Sequence, residues 1–250
     1  MNFTEPFPNP PIIEALIDIR CELPSQINLN ALEKYQEEIK DRFPIKEERS
    51  SWKGGFQLKK GGSPELLQPA GGVDGYVFKS LPQDAKIVQA RLDGFTFNKL
   101  KPYTEWPIFS AEGKELWEIY KKMVQPVNVT RVALKYINSI EIPLSVIKLE
   151  DYLLTYPKIA EGLPELLKSY FMNIEIIDTT RQMNAIIIQT IKPIQQTTTK
   201  INLIFDIDVY KIIKLHPDDT KIWEALDELR IFKDEIFRKS LTNKAQELFK

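Results

Sequence analysis

Asp206 and Asp208 stand two apart in KINLIFDIDVY, and on an extended chain residues i and i+2 project to the same side. Two such carboxylates can share a divalent cation, the arrangement that would suit a metal-dependent enzyme acting on nucleotides or nucleic acid. No glycine loop with a Gly-Lys-Ser or Gly-Lys-Thr ending accompanies them. The pair therefore reads first as the wet side of an amphipathic strand, and the metal site is the alternative.

Zinc chemistry of the usual Cys and His kinds needs three or four ligands, whereas the chain offers one cysteine, Cys21, and one histidine, His216. His216 lies in the connection KLHPDDT and reads as a surface turn residue. Cys21 falls on the apolar side of a strand and reads as a small core residue. No motif calls for a cofactor, and no catalytic residue set emerges.

Arg20, Arg91, Arg131, Lys135 and Lys200 fall on the polar sides of strand-like segments. If those strands are neighbours, they build a basic strip able to meet phosphates or an acidic partner. Asp18, Glu22, Asp93, Glu141, Asp206 and Asp208 share the same sides, and mixed charge on a sheet also makes cross-strand pairs. Tyr136 and Asn138 are misfits of another kind. They share the apolar side of Val132, Leu134, Ile140 and Ile142, where an amide needs a partner inside the protein. Asn138 either satisfies a neighbouring turn or bulge, or contacts a ligand in a pocket between its strand and a long helix.

These side chains need a scaffold, and the periodicity supplies one. Ile13, Ala15, Ile17, Ile19, Cys21 and Leu23 alternate with polar residues until Pro24, as in a half-buried strand that follows the stiff FPNPP. Asn28 or Asn30 can cap a helix carrying Leu29, Leu32, Tyr35, Ile39 and Phe43, which Pro44 ends. Strands are expected over 52–60, 74–77 and 86–99, with GGSPELLQPAGG as a loop. A helix follows from about Ser110 to Pro126.

The second half repeats that order: a strand over 129–142, a short helix over 149–156 and hairpin arms over 171–177 and 184–191. Lys200 to Tyr210 is then a clear alternating strand. A helix over 219–241 follows a cap at Asp218 or Asp219, and Thr242 can cap a last turn. Alternating strands imply a sheet with one dry face, so the fold class is α+β and antiparallel, with the long helices covering that face. Two similar lobes of the form strand, helix, three strands, helix are expected at 1–126 and 127–250, either as separate units or as one continuous domain with an internal pseudo-repeat. Such a unit is like one half of the TATA-binding saddle and like the helix-grip cups that hold small ligands, although a fold does not fix a function.

The composition bounds the rest. Thirty-four Lys and Arg balance 35 Asp and Glu in 250 residues, so there is no overall field to hold a polyanion or an anionic membrane. Another protein is the expected partner, and nucleic acid is not favoured. The start MNFTEPFPNPP has neither the basic opening nor the apolar run of a secretory signal, and a cytoplasmic location is expected.

FPNPPIIEALIDIR, RVALKYIN and FRKSLTNKAQELF, together with the length, resemble an uncharacterised, sporadically distributed bacterial protein family of about 250 residues. The resemblance spans the chain and brings no activity, substrate or catalytic residue. Sporadic distribution implies an accessory or defence-type role. The sequence thus points to a non-enzymatic binding or protein-interaction module, with the Asp206 and Asp208 enzyme and a small-ligand-binding protein as alternatives.

Overall fold

The computed structural model describes residues 7–53, 56–57, 65–66, 70–103, 105–143, 148–163, 167–191 and 200–250. The chain begins with β1 (Ile12–Glu22), whose alternating side chains bury Ala15, Ile17, Ile19 and Cys21. α1 (Leu29–Glu33) and α2 (Tyr35–Ile39) follow. Asn28 caps α1 by accepting from Ala31 N at 3.3 Å. The single helix expected here breaks at Lys34, yet Leu32, Tyr35, Ile39 and Phe43 all reach the core.

β2 (Ile45–Lys53) starts directly after Pro44, well before the expected Trp52. It is an edge strand, and its run KEERSS is polar on both sides, so no alternation announces it. β3 (Phe56–Gln57) and β4 (Glu65–Leu66) form a separate two-stranded piece. The rest of the expected strand toward Lys60, and most of the expected loop over 61–72, lie outside the described residues. β5 (Ala70–Lys79) comes next.

The single strand expected over 86–99 is a hairpin, β6 (Lys86–Arg91) and β7 (Gly94–Leu100). Gly94 makes the turn with φ 149°, where an added Cβ would lie 2.2 Å from the Ile19 carbonyl oxygen. α3 (Trp106–Val124) begins four residues before Ser110, because Pro107 fits a first helical turn where no amide donor is needed. It ends at Gln125 in the left-handed conformation.

β8 (Asn128–Pro143) is followed by one 3-10 turn at Leu149–Asp151 in place of the expected helix over 149–156. β9 (Tyr170–Asp178) and β10 (Met183–Ile191) pair as the expected hairpin. β11 (Lys200–Leu215) runs five residues beyond Tyr210. α4 (Lys221–Ser240) and α5 (Asn243–Glu247) close the chain, and Thr242 caps α5 by accepting from Ala245 N at 3.2 Å.

Nine strands form one mixed-order antiparallel sheet, β2-β5-β6-β7-β1-β8-β11-β10-β9. Ile17 lies opposite Phe97 and Leu134, and Tyr136 opposite Ile207, so the register collects the apolar side chains on one face. Helices pack there: Phe109 of α3 stacks on Phe97 at 5.2 Å and Trp117 meets Phe95 edge-on at 5.9 Å. Phe237 of α4 stacks on Phe205 at 5.8 Å. Gly113 lets α3 ride close to the sheet, since a Cβ there would approach Ile17 Cδ1 to 2.8 Å. Burying each such Phe or Ile contributes about 1.5–3 kcal/mol.

Candidate functional site

The other face of the sheet carries the charges. Asp18 sits in its middle, in register with Thr96 of β7 on one side and Ala133 of β8 on the other. Its carboxylate accepts from Arg91 Nη2 at 2.6 Å, Thr96 Oγ1 at 2.9 Å, Arg20 Nε at 3.1 Å and Arg131 Nη1 at 3.1 Å. Arg91 also donates to Thr96 Oγ1 at 2.7 Å. Four strands therefore aim donors at one oxygen pair, three of them guanidinium groups and one a hydroxyl. Burial pushes the Asp18 carboxyl up, but Arg91, Arg20 and Arg131 outweigh it and hold the group below the usual carboxylate range.

Around this centre the face hollows into a groove of about 650 Å³. Arg131 lies over the Tyr210 ring, 4.4 Å from its centroid, and reaches Asp208 Oδ1 at 3.4 Å. Lys135 Nζ pairs with Asp206 Oδ2 at 2.8 Å. From the far strands Arg49 joins the rim, donating to Gln89 Oε1 at 3.0 Å and to Asp74. Two of the cations stand above their carboxylates: side-chain exposure is 38% for Arg20 and 31% for Lys135, against 8% for Asp18 and 13% for Asp206. Arg91 is buried with Asp18, and Arg131 and Asp208 are about equally exposed. Asp93 is exposed on the turn after β6, bonded to Arg20 and 3.0 Å from Arg91 Nε.

Asp206 and Asp208 do share this face. Burial raises both carboxyls above the ordinary value, even though Lys135 lowers the first and Arg131 the second. Asp206 Oδ1 is buried without a hydrogen-bond partner. Each carboxylate already has a cationic neighbour, and among the described residues no three His, Cys, Asp or Glu side chains come together as a metal-ligand set.

Arg20, Arg91, Arg131 and Lys135 are thus brought together, while Lys200 stands apart at the start of β11, paired with Glu141 at 2.8 Å. Asn138 belongs to the opposite, apolar face. It lies where the β1 and β8 pairing shifts register, and its Nδ2 donates to the Phe205 carbonyl at 3.0 Å. Beside it, between β8, α4, the start of α3 and the segment from Phe7 to Ile12, is a second cavity of about 450 Å³. Cys21 is buried next to Tyr120, and burial pushes its thiol up to about 12. His216 is exposed near Asp218.

Arg49, Gln89 and Thr96 escape sequence reasoning. Arg49 sits on an edge strand with no alternation, and Thr96 has an ordinary β-former's identity. Lys233 escapes it too, although its signal is legible: it falls inside the apolar stripe of Leu226, Leu229, Ile236 and Phe237.

Neither a family model, nor a curated protein, nor a solved structure matches the chain. Among the described residues no helix is long and apolar enough to cross a membrane.

Proposed function

We propose that this protein is a non-enzymatic binding module that takes an acidic protein surface on the charged face of its sheet. One observation carries the reading: buried Asp18 gathers Arg91, Arg20 and Arg131 into a fixed cluster at the base of the groove. A carboxylate that holds several guanidinium groups pre-organises them, so less side-chain entropy is lost when a partner arrives. The outward tips of Arg20 and Lys135 then meet the partner's carboxylates, giving specificity and a fast encounter. The near-neutral chain lacks the broad positive field of a nucleic-acid binder. Paired with Lys135 and Arg131, Asp206 and Asp208 serve this reading as the carboxylates that position cations.

The strand order supports a chain built from two related halves. From the central neighbours β1 and β8 the sheet runs outward through β7, β6, β5 and β2 on one side, and through β11, β10 and β9 on the other. The division at 126–127 falls in the connection between α3 and β8, and in each half the strands are followed by a long helix, α3 or α4, laid over the apolar face. A broad sheet face left to a macromolecular partner is an analogy with the TATA-binding saddle. The family resemblance adds a role in an accessory or defence-type bacterial system.

The test is affinity capture of the tagged protein from its host at moderate salt, with nuclease treatment, beside a variant carrying Arg20→Ala and Lys135→Ala. The reading expects a stoichiometric, nuclease-resistant protein partner that the variant loses and that added salt releases. Recovery of the protein alone, of nuclease-sensitive material, or of the same partner by the variant defeats it.

A further inference from the structure

The cavity beneath α4 lies on the apolar side of the sheet, and nothing in the groove reading uses it. Its walls are held in place. Asn9 ties the proline-bearing segment to the end of the chain, its N donating to the Phe249 carbonyl at 2.9 Å and its Nδ2 to the Lys250 carbonyl at 2.9 Å. Ser139 N donates to the Pro11 carbonyl at 2.8 Å and fixes the same segment to β8. The space, about 450 Å³, falls in the range of pre-formed small-molecule sites, about 300–1,000 Å³. Trp106, Phe237, Tyr103 and the prolines give it an apolar wall.

Set in that wall is a buried cation. Lys233 is 8% exposed, donates through Nζ to Asp234 and lies 3.9 Å from the centroid of the Tyr136 ring. The Tyr136 hydroxyl is bonded to that of Tyr103 at 2.9 Å. An ammonium so far from water is costly, and a methionine of similar reach would fill the same space without the cost. Burial accordingly lowers the Lys233 pKa, and a carboxylate arriving within about 4–6 Å would favour the charged form again. Of the charged residues that line the cavity, Arg230, Lys233, Arg238, Glu105 and Asp234, Lys233 is the buried one, and a single ammonium set in the wall suits a ligand with a single carboxylate.

We infer that this cavity binds a small organic monocarboxylic acid, its apolar body against Trp106 and Phe237 and its carboxylate at Lys233. The site is separate from the groove and stands whether or not the groove binds a protein.

The test uses the full chain at pH 7, with 3-phenylpropionate, indole-3-acetate and octanoate as probes, each beside its neutral amide. Thermal melting and calorimetric titration should show at least one acid raising Tm by several degrees while its amide does not. Lys233→Met should melt cooperatively and weaken that acid's Kd at least tenfold, and Lys233→Gln serves if the methionine variant does not fold. The variant with Arg20→Ala and Lys135→Ala should bind the acid unchanged. The inference is overturned if no acid shifts Tm, if acid and amide act alike, or if both Lys233 variants keep full affinity. A mass adduct on Lys233 that survives denaturation also overturns it, since that would be a covalent site.

Discussion

Asp18 and Arg91 meet at 2.6 Å although their strands are not neighbours. β7 lies between β1 and β6, and its Thr96 bonds to both groups, so one carboxylate braces three strands through side chains alone. Asp18 and Arg91 are 6% and 4% exposed, so the brace sits in a medium where an unpartnered charge is expensive.

Asp18→Asn should therefore cost up to about 3–5 kcal/mol at pH 7, because buried Arg91 loses its buried partner and keeps only the exposed Asp93. The pH profile follows from the depressed carboxyl: its contribution is complete above the unfolded value of about 3.9 and is lost as pH falls through the lower folded value. Urea unfolding from pH 7 to pH 2 should show the wild type losing stability more steeply than the variant below about pH 4. Parallel acid profiles, or a loss under about 1 kcal/mol at neutral pH, would remove Asp18 from the centre of the site.

Asp206→Asn has the opposite sign. Burial raises the Asp206 carboxyl, so its ionised form is a penalty on the folded state above the folded pKa, and the penalty vanishes below about 3.9. The variant should melt at or above the wild-type temperature at pH 7, and any gain should shrink as pH falls toward 4. A clear loss of Tm at pH 7 would mean that the bond from Lys135 outweighs the burial.

Gly94→Ala tests the hairpin that carries Arg91 into the groove. At φ 149° and with the Ile19 carbonyl oxygen 2.2 Å from an added Cβ, the backbone of β1 must move. A destabilisation above about 1 kcal/mol is expected, with weaker capture of any groove partner. A variant as stable as the wild type would show that β1 and β7 can separate at that turn without cost.

Much of this molecule is legible from local pattern. Period-two alternation located β1, β8 and β11, and the caps at Asn28 and Thr242 were readable from residue type. β2 was missed because an edge strand needs no apolar side, and the turn between β6 and β7 because Leu92, Asp93 and Gly94 interrupt a run that is strand-like throughout. Lys233 stood in plain view as a charge within an apolar stripe, but a lysine there can equally snorkel to solvent.

The sequence by itself determined which side of each strand is wet, because side-chain alternation is a property of the extended backbone. It therefore put Arg20, Arg131, Lys135, Asp206 and Asp208 on polar sides and Tyr136 and Asn138 on an apolar one. Which of those sides lie next to one another was decided only by the tertiary structure. Pairing is set by long-range register: β1 lies between β7 and β8, residues some eighty and over a hundred positions away, which brings Arg131 onto Asp18, and the pairing of β6 with β7 brings Arg91 there from one strand further out.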